Sequence, residues 1–224
     1  MPLAVIAAVF GGWALFLLPI GVPVIYAAID QIVGNETKNA DLNTPESALY
    51  WHRMITLVWP PVQILTMFGI LAYVSATDHL SGVGEWFLFI GLGVMSGAVG
   101  INYSHELMHQ KPKIERWLGD ILLGSVLYSH FRSEHLLVHH RYVVTPKDPL
   151  TARYNEGFHR FYARVLWQCL LSAFRAEKDM LARKGLPWWH ASNPFWRYWA
   201  LELGFVILAF VIGGWWGIFL FLTQ

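Results

Sequence analysis

Histidines at helical spacing are the residues in this sequence most able to do chemistry. His105 and His109 lie four residues apart, and His135 and His139 repeat this spacing further along the chain. In an α-helix, side chains at i and i+4 share one face about one turn apart, which suits two ligands of one metal ion. His140 is expected to be rotated by roughly 100° from its neighbour and to point elsewhere. The pattern predicts a pocket for two neighbouring metals.

Four further residues are candidates to support these histidines. Glu106 and Glu134 each adjoin a histidine, where a carboxylate can orient an imidazole through its other ring nitrogen or bind the metal itself. We expect the orienting role. His130, which precedes His135 by about one and a half helical turns, and Asp148 are the other two candidates.

The kind of metal follows from the donors that the sequence offers. The only cysteine is Cys169, so a thiolate cluster is excluded and the ligands must be nitrogen and oxygen atoms. His105 to His109 also satisfies the H-E-x-x-H pattern of zinc hydrolases. Such a site does not need the second histidine group, so iron is favoured over zinc.

The elements that carry these residues are predicted to be membrane helices. Apolar residues make up 55% of the 224 residues and charged residues only 14%, which is too apolar for a soluble domain. Uncharged runs of about 20 residues are long enough to cross a bilayer as helices. We predict an all-α, polytopic transmembrane bundle forming one membrane domain, with four to five spans at about residues 3–29, 54–76, 86–104 and 198–222.

The third span runs without a breaker into His105, so one helix is expected to carry both the span and the first histidines. The sequence leaves two interpretations open for each of two further segments. Phe158 to Lys184 is either a basic amphipathic helix in the headgroup plane or a helix packed on the rest of the protein. The last apolar run, interrupted by Gly213 and Gly214, is either one long span or a hairpin.

Orientation is predicted from the cationic residues. Residues 105–197 carry 14 of the 16 Lys and Arg residues. The positive-inside bias therefore makes this histidine-rich segment cytoplasmic in a multi-pass protein of the cell inner membrane. The sequence contains nothing typical of a nucleic-acid-binding face.

These histidines stand in a longer series of motifs that resembles the membrane-bound alkane and xylene monooxygenases, a histidine-rich non-haem di-iron family. His105 to Gln110 is similar to that family's H-E-L-x-H-K, and Glu134 to His140 is similar to its E-H-x-x-G-H-H. Thr145 to Arg153 is similar to T-P-x-D-P-x-x-x-R, and Glu156 to Phe158 to G-E-S-F. Gln110 replaces a basic residue and Val138 replaces a glycine, and every ligand position in these motifs is filled.

The resemblance implies an activity. Two iron ions would activate O2 and insert one oxygen atom into an unactivated C–H bond of an apolar substrate, an alkane or an alkyl-aromatic compound. A rubredoxin or ferredoxin-type carrier would deliver the electrons. The implied metal ligands are His105, His109, His135, His139 and His140. The family's later motifs, N-Y-x-E-H-Y-G and L-Q-R-H-x-D-H-H-A, supply four more histidines and are absent here, so the chain is expected to be a C-terminally incomplete fragment.

Two alternatives remain open from the sequence. A fatty-acid desaturase or sterol hydroxylase shares the H-x3-H group, but its second group is normally H-x2-H-H, whereas His135 to His140 reads H-x3-H-H. The other alternative is a non-catalytic metal or proton transporter that uses intramembrane histidines. A stoichiometric pair of irons and consumption of O2 with substrate would exclude the transporter.

Overall fold

A computed structural model describes residues 1–34 and 49–224 of the chain. Every regular element in these residues is a helix, which confirms the predicted all-α class. The chain divides into two compact units. The first comprises Met1–Leu122 with Gly204–Gln224, and the second comprises Leu123–Leu203.

The first unit holds most of the long apolar helices. Helix α4 continues through a π-helical turn, Ser96–Gly100, directly into α5. The described elements in this part of the chain are α1 (Pro2–Phe10), a 3-10 helix (Gly12–Leu17), α2 (Gly21–Val33), α3 (Tyr50–Ala76), α4 (Gly82–Met95) and α5 (Ile101–Met108).

The second unit holds the later histidines. A second π-helical turn, His135–His139, separates two short helices, and a long helix follows. Two helices extend across the boundary in the chain: α6 begins in the first unit, and α10 begins in the second. The elements are α6 (Lys113–Ser125), α7 (Phe131–Glu134), α8 (His140–Tyr142), α9 (Phe158–Ala182) and α10 (Phe195–Thr223).

By length and composition, three described helices could cross a membrane: α3, the continuous helix Gly82–Met108, and α10, which is interrupted by a bend at Gly214. The chain is therefore a membrane protein, and the predicted runs 54–76 and 86–104 lie inside the first two of these helices. The continuous helix Gly82–Met108 carries His105, as expected.

The predicted first span at residues 3–29 is wrong as one helix. Helix α1 ends at Phe10 because Gly11 and Gly12 adopt left-handed φ values of 58° and 52°. A short 3-10 helix follows, and then α2, which is apolar but has only 13 residues. The described residues contain three candidate spans, and the number of four to five spans stays a prediction.

Helix α10 is bent back on itself at Gly214. This glycine has φ 59° and ψ −149°, a conformation open to glycine almost alone. On either side of the bend, Phe205 and Phe221 stack on the same ring of Phe68, each with centroids 5.8 Å apart. A side chain added at Gly217 would also meet the carbonyl of Ala209. Of the two alternatives for this run, the structure shows the hairpin.

The returning arm of this hairpin is tied to α4. The indole Nε1 of Trp216 donates a 2.5 Å hydrogen bond to Oε2 of Glu85, a buried carboxylate in the first turn of α4. The ring of the same tryptophan lies against Gly82. A buried carboxylate needs such a partner, so the contact fixes the register between the arm and α4.

In the second unit, α9 packs against α7 and the π-helical turn. Its buried residues follow a four-residue spacing that forms one stripe: Val165, Cys169, Ala173, Glu177 and Leu181. Ala173 joins Phe195 and Tyr198 in a buried cluster. One face of this helix is therefore packed on the histidine-bearing elements of the second unit.

Candidate metal-binding histidines

The first histidine pair lies at the end of a candidate span. His105 is in the last turn of α5, and His109 is the residue that caps its C-terminus. Their ring centroids are 4.9 Å apart, so the two imidazoles share one side of the helix as the spacing predicts. His105 is half-buried and His109 is exposed.

Two close helix contacts set the position of this pair. Gly100, at the end of the first π-helical turn, lies directly against the amide of Gln63, a buried residue of α3. The hydroxyl of Ser104 donates a 3.0 Å hydrogen bond to the carbonyl of Gly119 in α6. A Cβ at Gly100 would displace the Gln63 amide, and one at Gly119 would contact the Ser104 carbonyl tightly, at 3.2 Å. The two glycines thus allow these close approaches.

A polar cavity of about 770 Å³ lies beside His109 in the first unit. It is lined by residues of both charges, among them His52, Arg53, Glu106 and Lys111. The Arg53 guanidinium pairs with Glu115, whose side chain is almost fully buried. The cavity gives small polar molecules room to approach His109.

The second histidine group does not have the α-helical geometry that the sequence predicted. Residues His135–His139 form a π-helical turn, in which the backbone N–H of His140 reaches the carbonyl of His135 five residues earlier. The ring of His140 therefore lies closer to His135, at 4.5 Å between centroids, than to His139, at 6.1 Å. His140 therefore points elsewhere than its neighbour His139, as expected, but the sequence did not predict its contact with His135.

The closest approach within this group joins two ring nitrogens. Nε2 of His140 lies 2.9 Å from Nε2 of His135. Two neutral imidazoles at this distance either share one proton or direct both lone pairs at one cation. For ligand bonds of about 2.1 Å, adjacent nitrogens of one metal ion are about 3 Å apart in an octahedral arrangement. The pair therefore fits a bound metal.

A buried carboxylate fixes the orientation of His139. Oδ2 of Asp148 lies 3.0 Å from Nδ1 of His139 and accepts a 2.7 Å hydrogen bond from the Thr151 hydroxyl. Its other oxygen accepts the backbone N–H of Leu150. Because an ionised carboxylate only accepts, Nδ1 of His139 carries the proton, and Nε2 keeps its lone pair for a metal.

The loop that carries Asp148 is clamped by Arg164 of α9. The guanidinium donates two 2.7 Å hydrogen bonds to the carboxylate of Glu156 and one of 2.8 Å to the carbonyl of Pro149. The Arg164 hydrogen bonds, together with the backbone N–H of Arg153, lower the pKa of Glu156 to about 2. These hydrogen bonds order the loop and thereby hold Asp148, the partner of His139, in place.

Several buried polar atoms in this region contact no hydrogen-bond partner among residues 1–34 and 49–224. Among them are both carboxylate oxygens of Glu134 and Nε2 of His130. Burial and the nearby charge of Asp148 raise the pKa of Glu134 to about 8, and burial lowers the pKa of His130 to about 4. Glu134 is fully buried, and an unpaired buried carboxylate is costly, so its two oxygens also fit a site that receives a cation.

Glu106 occupies a different environment. Its Oε1 lies 3.4 Å from Nδ1 of the half-buried His105, a long contact, and the Glu106 side chain itself is exposed to solvent. The contact has the direction expected of an orienting carboxylate, in a weaker form than the bond between Asp148 and His139.

In terms of donor chemistry, His105, His109 and His135 each offer a ring nitrogen that can bind a metal ion. Sequence reasoning missed several residues that hold the second group. They are Ser129, Ser133, Arg164, Glu177 and Tyr198. A signal for the serines was present, because they lie four residues apart just before the histidines. Glu202, the single charge in an apolar run, was a second signal.

The described residues combine an all-helical membrane fold with histidines that could bind a metal ion, which defines the class of protein. A sequence model of the fatty acid desaturase family matches residues 81–224, which is more than half of the chain. The chain belongs to this family.

Several relatives found by sequence comparison are monooxygenases by name. The chain is 34% identical to alkane 1-monooxygenase 2 of Pseudomonas aeruginosa, over 100% of this chain and 56% of that protein. It is 29% identical to alkane 1-monooxygenase 2 of Alcanivorax borkumensis, over 96% of this chain and 56% of that protein. It is also 29% identical to the xylene/toluene monooxygenase hydroxylase component of Pseudomonas putida, over 67% of this chain and 42% of that protein. The chain spans about half the length of the curated relatives it matches.

Proposed function

We propose that the whole protein is a membrane monooxygenase that uses O2 to hydroxylate an unactivated C–H bond of an apolar substrate, an alkane or alkyl-aromatic compound, at a di-iron centre. The observation that carries the proposal is the 34% identity to an alkane 1-monooxygenase over the full chain. A second relative, named for xylene and toluene, supports the apolar substrate class. The bound irons would supply O2 activation and oxygen transfer.

The proposed ligands are the five histidines in the two groups, His105, His109, His135, His139 and His140. Neutral imidazoles bind iron without adding negative charge, which keeps the desolvation cost low next to a membrane. Asp148 holds one tautomer of His139, as its 3.0 Å contact requires. Glu134 is the buried carboxylate best placed in the sequence to support His135.

The apolar parts of the first unit suit the supply of a hydrocarbon. An apolar cavity of about 310 Å³ lies in this unit, and its lining includes Tyr26, Trp59, Met95 and Val99. Val99 belongs to the π-helical turn that leads into the helix of His105. A substrate dissolved in the bilayer can enter such a cavity sideways without crossing water.

The proposed orientation places the histidine segment on the cytoplasmic side of the cell inner membrane. It is supported by the 14 cationic residues between positions 105 and 197. We propose a rubredoxin or ferredoxin-type protein as electron donor. Exposed cations close to the first histidine pair, Lys111 and Lys113, would attract an acidic carrier.

The test is oxygen-isotope labelling with the whole protein in lipid nanodiscs, supplied with iron, reductant, an electron carrier and an alkane. We expect one atom of 18O2 in an alcohol product and two irons per protein. An alkene product would favour the desaturase, and iron-free protein that consumes no O2 would favour the transporter. The relatives do not favour either alternative.

Ligand roles are tested by five single substitutions to alanine, at His105, His109, His135, His139 and His140, each of which should lose iron and product. His190→Ala is the matched control, because this exposed histidine hydrogen-bonds locally, to the hydroxyl and the backbone N–H of Ser192. Unchanged iron content in any two of the five variants would contradict the assignment.

A further inference from the structure

A chain of three buried polar side chains lies next to the second histidine group. The hydroxyl of Ser133 donates a 2.5 Å hydrogen bond to Oε1 of Glu177 on α9, and it lies 2.9 Å from the hydroxyl of Tyr198 on α10. All three residues are at most 5% exposed. Ser133 precedes His135 by two residues, so the chain ends directly at the π-helical turn.

When Glu177 is ionised, the number of hydroxyl protons available fixes the direction of these hydrogen bonds. Ser133 has one hydroxyl proton, and Glu177 receives it. The Tyr198 hydroxyl must therefore donate to the serine oxygen. Burial raises the pKa of Glu177, while the serine hydrogen bond and the charges of Arg132 and Arg197 act in the opposite direction.

A second anchor lies four residues earlier. The backbone N–H of Ser129 donates a 3.0 Å hydrogen bond to Oε1 of Glu202 on α10. The turn before it is unusual, because Leu127 has a left-handed φ of 55° without being glycine. Such a conformation persists only where the surrounding contacts determine it. The segment that enters the histidine group is thus held at Ser129 and Ser133 by carboxylates of two different helices.

We propose that Glu177 and Ser133 are positioning residues that set the rotation of the π-helical turn, and with it the approach of the His135 and His140 ring nitrogens. This inference rests on the proposed function, in which the two ring nitrogens bind a metal ion. Glu177 acts through the hydroxyl of Ser133, which accepts its second hydrogen bond from Tyr198. Glu177 therefore contacts neither ring nitrogen itself, and it acts on them through Ser133 and the backbone of the π-helical turn.

The reason for such a device is the geometry of a π-helical turn. The π-helix is rare and occurs mostly as single turns within α-helices. We therefore infer that contacts from outside the segment hold this turn in place. The 2.9 Å separation of the two Nε2 atoms exists only while the backbone of His140 reaches His135 five residues back. Relaxation of the segment to α-helical winding would move His140 out of this pairing.

Ser133→Ala and Glu177→Ala are the main test variants, made in the whole protein. We expect Co2+ bound in place of iron to show an altered ligand-field spectrum and an affinity lower by about 10- to 100-fold, the usual effect of losing a group that orients metal ligands. Glu177→Gln keeps an acceptor oxygen and should restore most of the affinity. Tyr198→Phe removes one hydroxyl and should have a smaller effect.

The matched controls lie on the same helix as Glu177. Asp179→Asn removes an exposed carboxylate, and Ser172→Ala removes a hydroxyl that donates a local hydrogen bond to the carbonyl of Cys169. Neither should change the Co2+ spectrum or affinity. Effects of the same size in these controls would overturn the proposal.

A metal-free measurement separates this inference from the proposed function. In protein labelled with 15N-histidine, solid-state NMR measures the distance between the Nε2 atoms of His135 and His140. We expect about the 2.9 Å separation in the unsubstituted protein and a longer distance in Ser133→Ala. An unchanged distance in both main variants would overturn the positioning role. Failure of the unsubstituted protein to bind Co2+ would count against the proposed function alone.

Discussion

The substitution Asp148→Asn tests how the histidine group is tuned, because it changes hydrogen-bond chemistry and keeps shape. Both oxygens of Asp148 accept hydrogen bonds. One oxygen accepts from Nδ1 of His139 and from the Thr151 hydroxyl, and the other accepts from the Leu150 N–H. Asparagine has only one acceptor oxygen. Whichever way the amide is turned, an NH2 group must face a donor.

The two orientations of the asparagine amide in Asp148→Asn have different consequences. With the oxygen on Leu150, the amide NH2 faces His139 and forces its proton from Nδ1 to Nε2, which removes the lone pair needed for a metal. With the oxygen on His139, the NH2 faces the N–H of Leu150. A buried unsatisfied group costs about 1–3 kcal/mol, which corresponds to a loss of roughly 10- to 100-fold in metal affinity.

The assay is Co2+ titration of the whole protein followed by absorbance at constant pH. We expect Asp148→Asn to bind more weakly than Asp148→Ala, although asparagine is the closer match in shape, because alanine leaves the His139 tautomer free. Glu106→Gln is the control, since its contact with His105 is long and exposed. Equal affinities of the unsubstituted protein and Asp148→Asn would refute the tautomer argument.

Three further predictions follow from buried or strained positions. Burial raises the pKa of Cys169 from 9.0 to about 12, so the thiolate fraction at pH 8 falls about 1000-fold. Alkylation of this cysteine should therefore be slower in the native than in the denatured protein, and similar alkylation rates would contradict the prediction. Glu156, with a pKa of about 2 against the usual 4.5, should stabilise the loop above pH 4.5 and lose this effect as the pH falls toward 2. Hydrogen exchange of residues 149–156 measures the stability of the loop, and Arg164→Gln should flatten its dependence on pH. Gly214→Ala should destabilise the hairpin by about 1–3 kcal/mol, seen as a lower melting temperature in detergent, whereas Gly204→Ala, with open space around it, should not.

Periodicity and charge were sufficient to predict the helical class and two of the spans. Uncharged runs specify α3 and the helix Gly82–Met108 because the bilayer length requires about 20 apolar residues. The run 3–29 has the same composition, but Gly11 and Gly12 take left-handed conformations that end α1. Composition cannot distinguish a glycine that stays helical from one that turns the chain.

The histidine group shows a second kind of difference. The residue types predicted its chemistry, and the i, i+4 rule predicted the pairing of His105 with His109. The rule also predicted the pairing of His135 with His139, but not the contact of His140 with His135, because that contact forms across a π-helical turn. Glu177 and Glu202 lie far along the chain from the serines they contact, and this distance hides them from any local motif.

The π-helical turn at His135–His139 also has a meaning for sequence evolution. A π turn accommodates one residue more than the α turn it replaces, so the residues before and after it are in different helical registers. Deletion of any one residue among Leu136, Leu137 and Val138 would turn the i, i+5 pair of His135 and His140 into an i, i+4 pair on regular α-helix. The spacing H-x3-H-H and the shorter H-x2-H-H thus differ by a single codon, and a gap of one residue within this motif would mark a change in the winding of the backbone rather than the loss of a ligand.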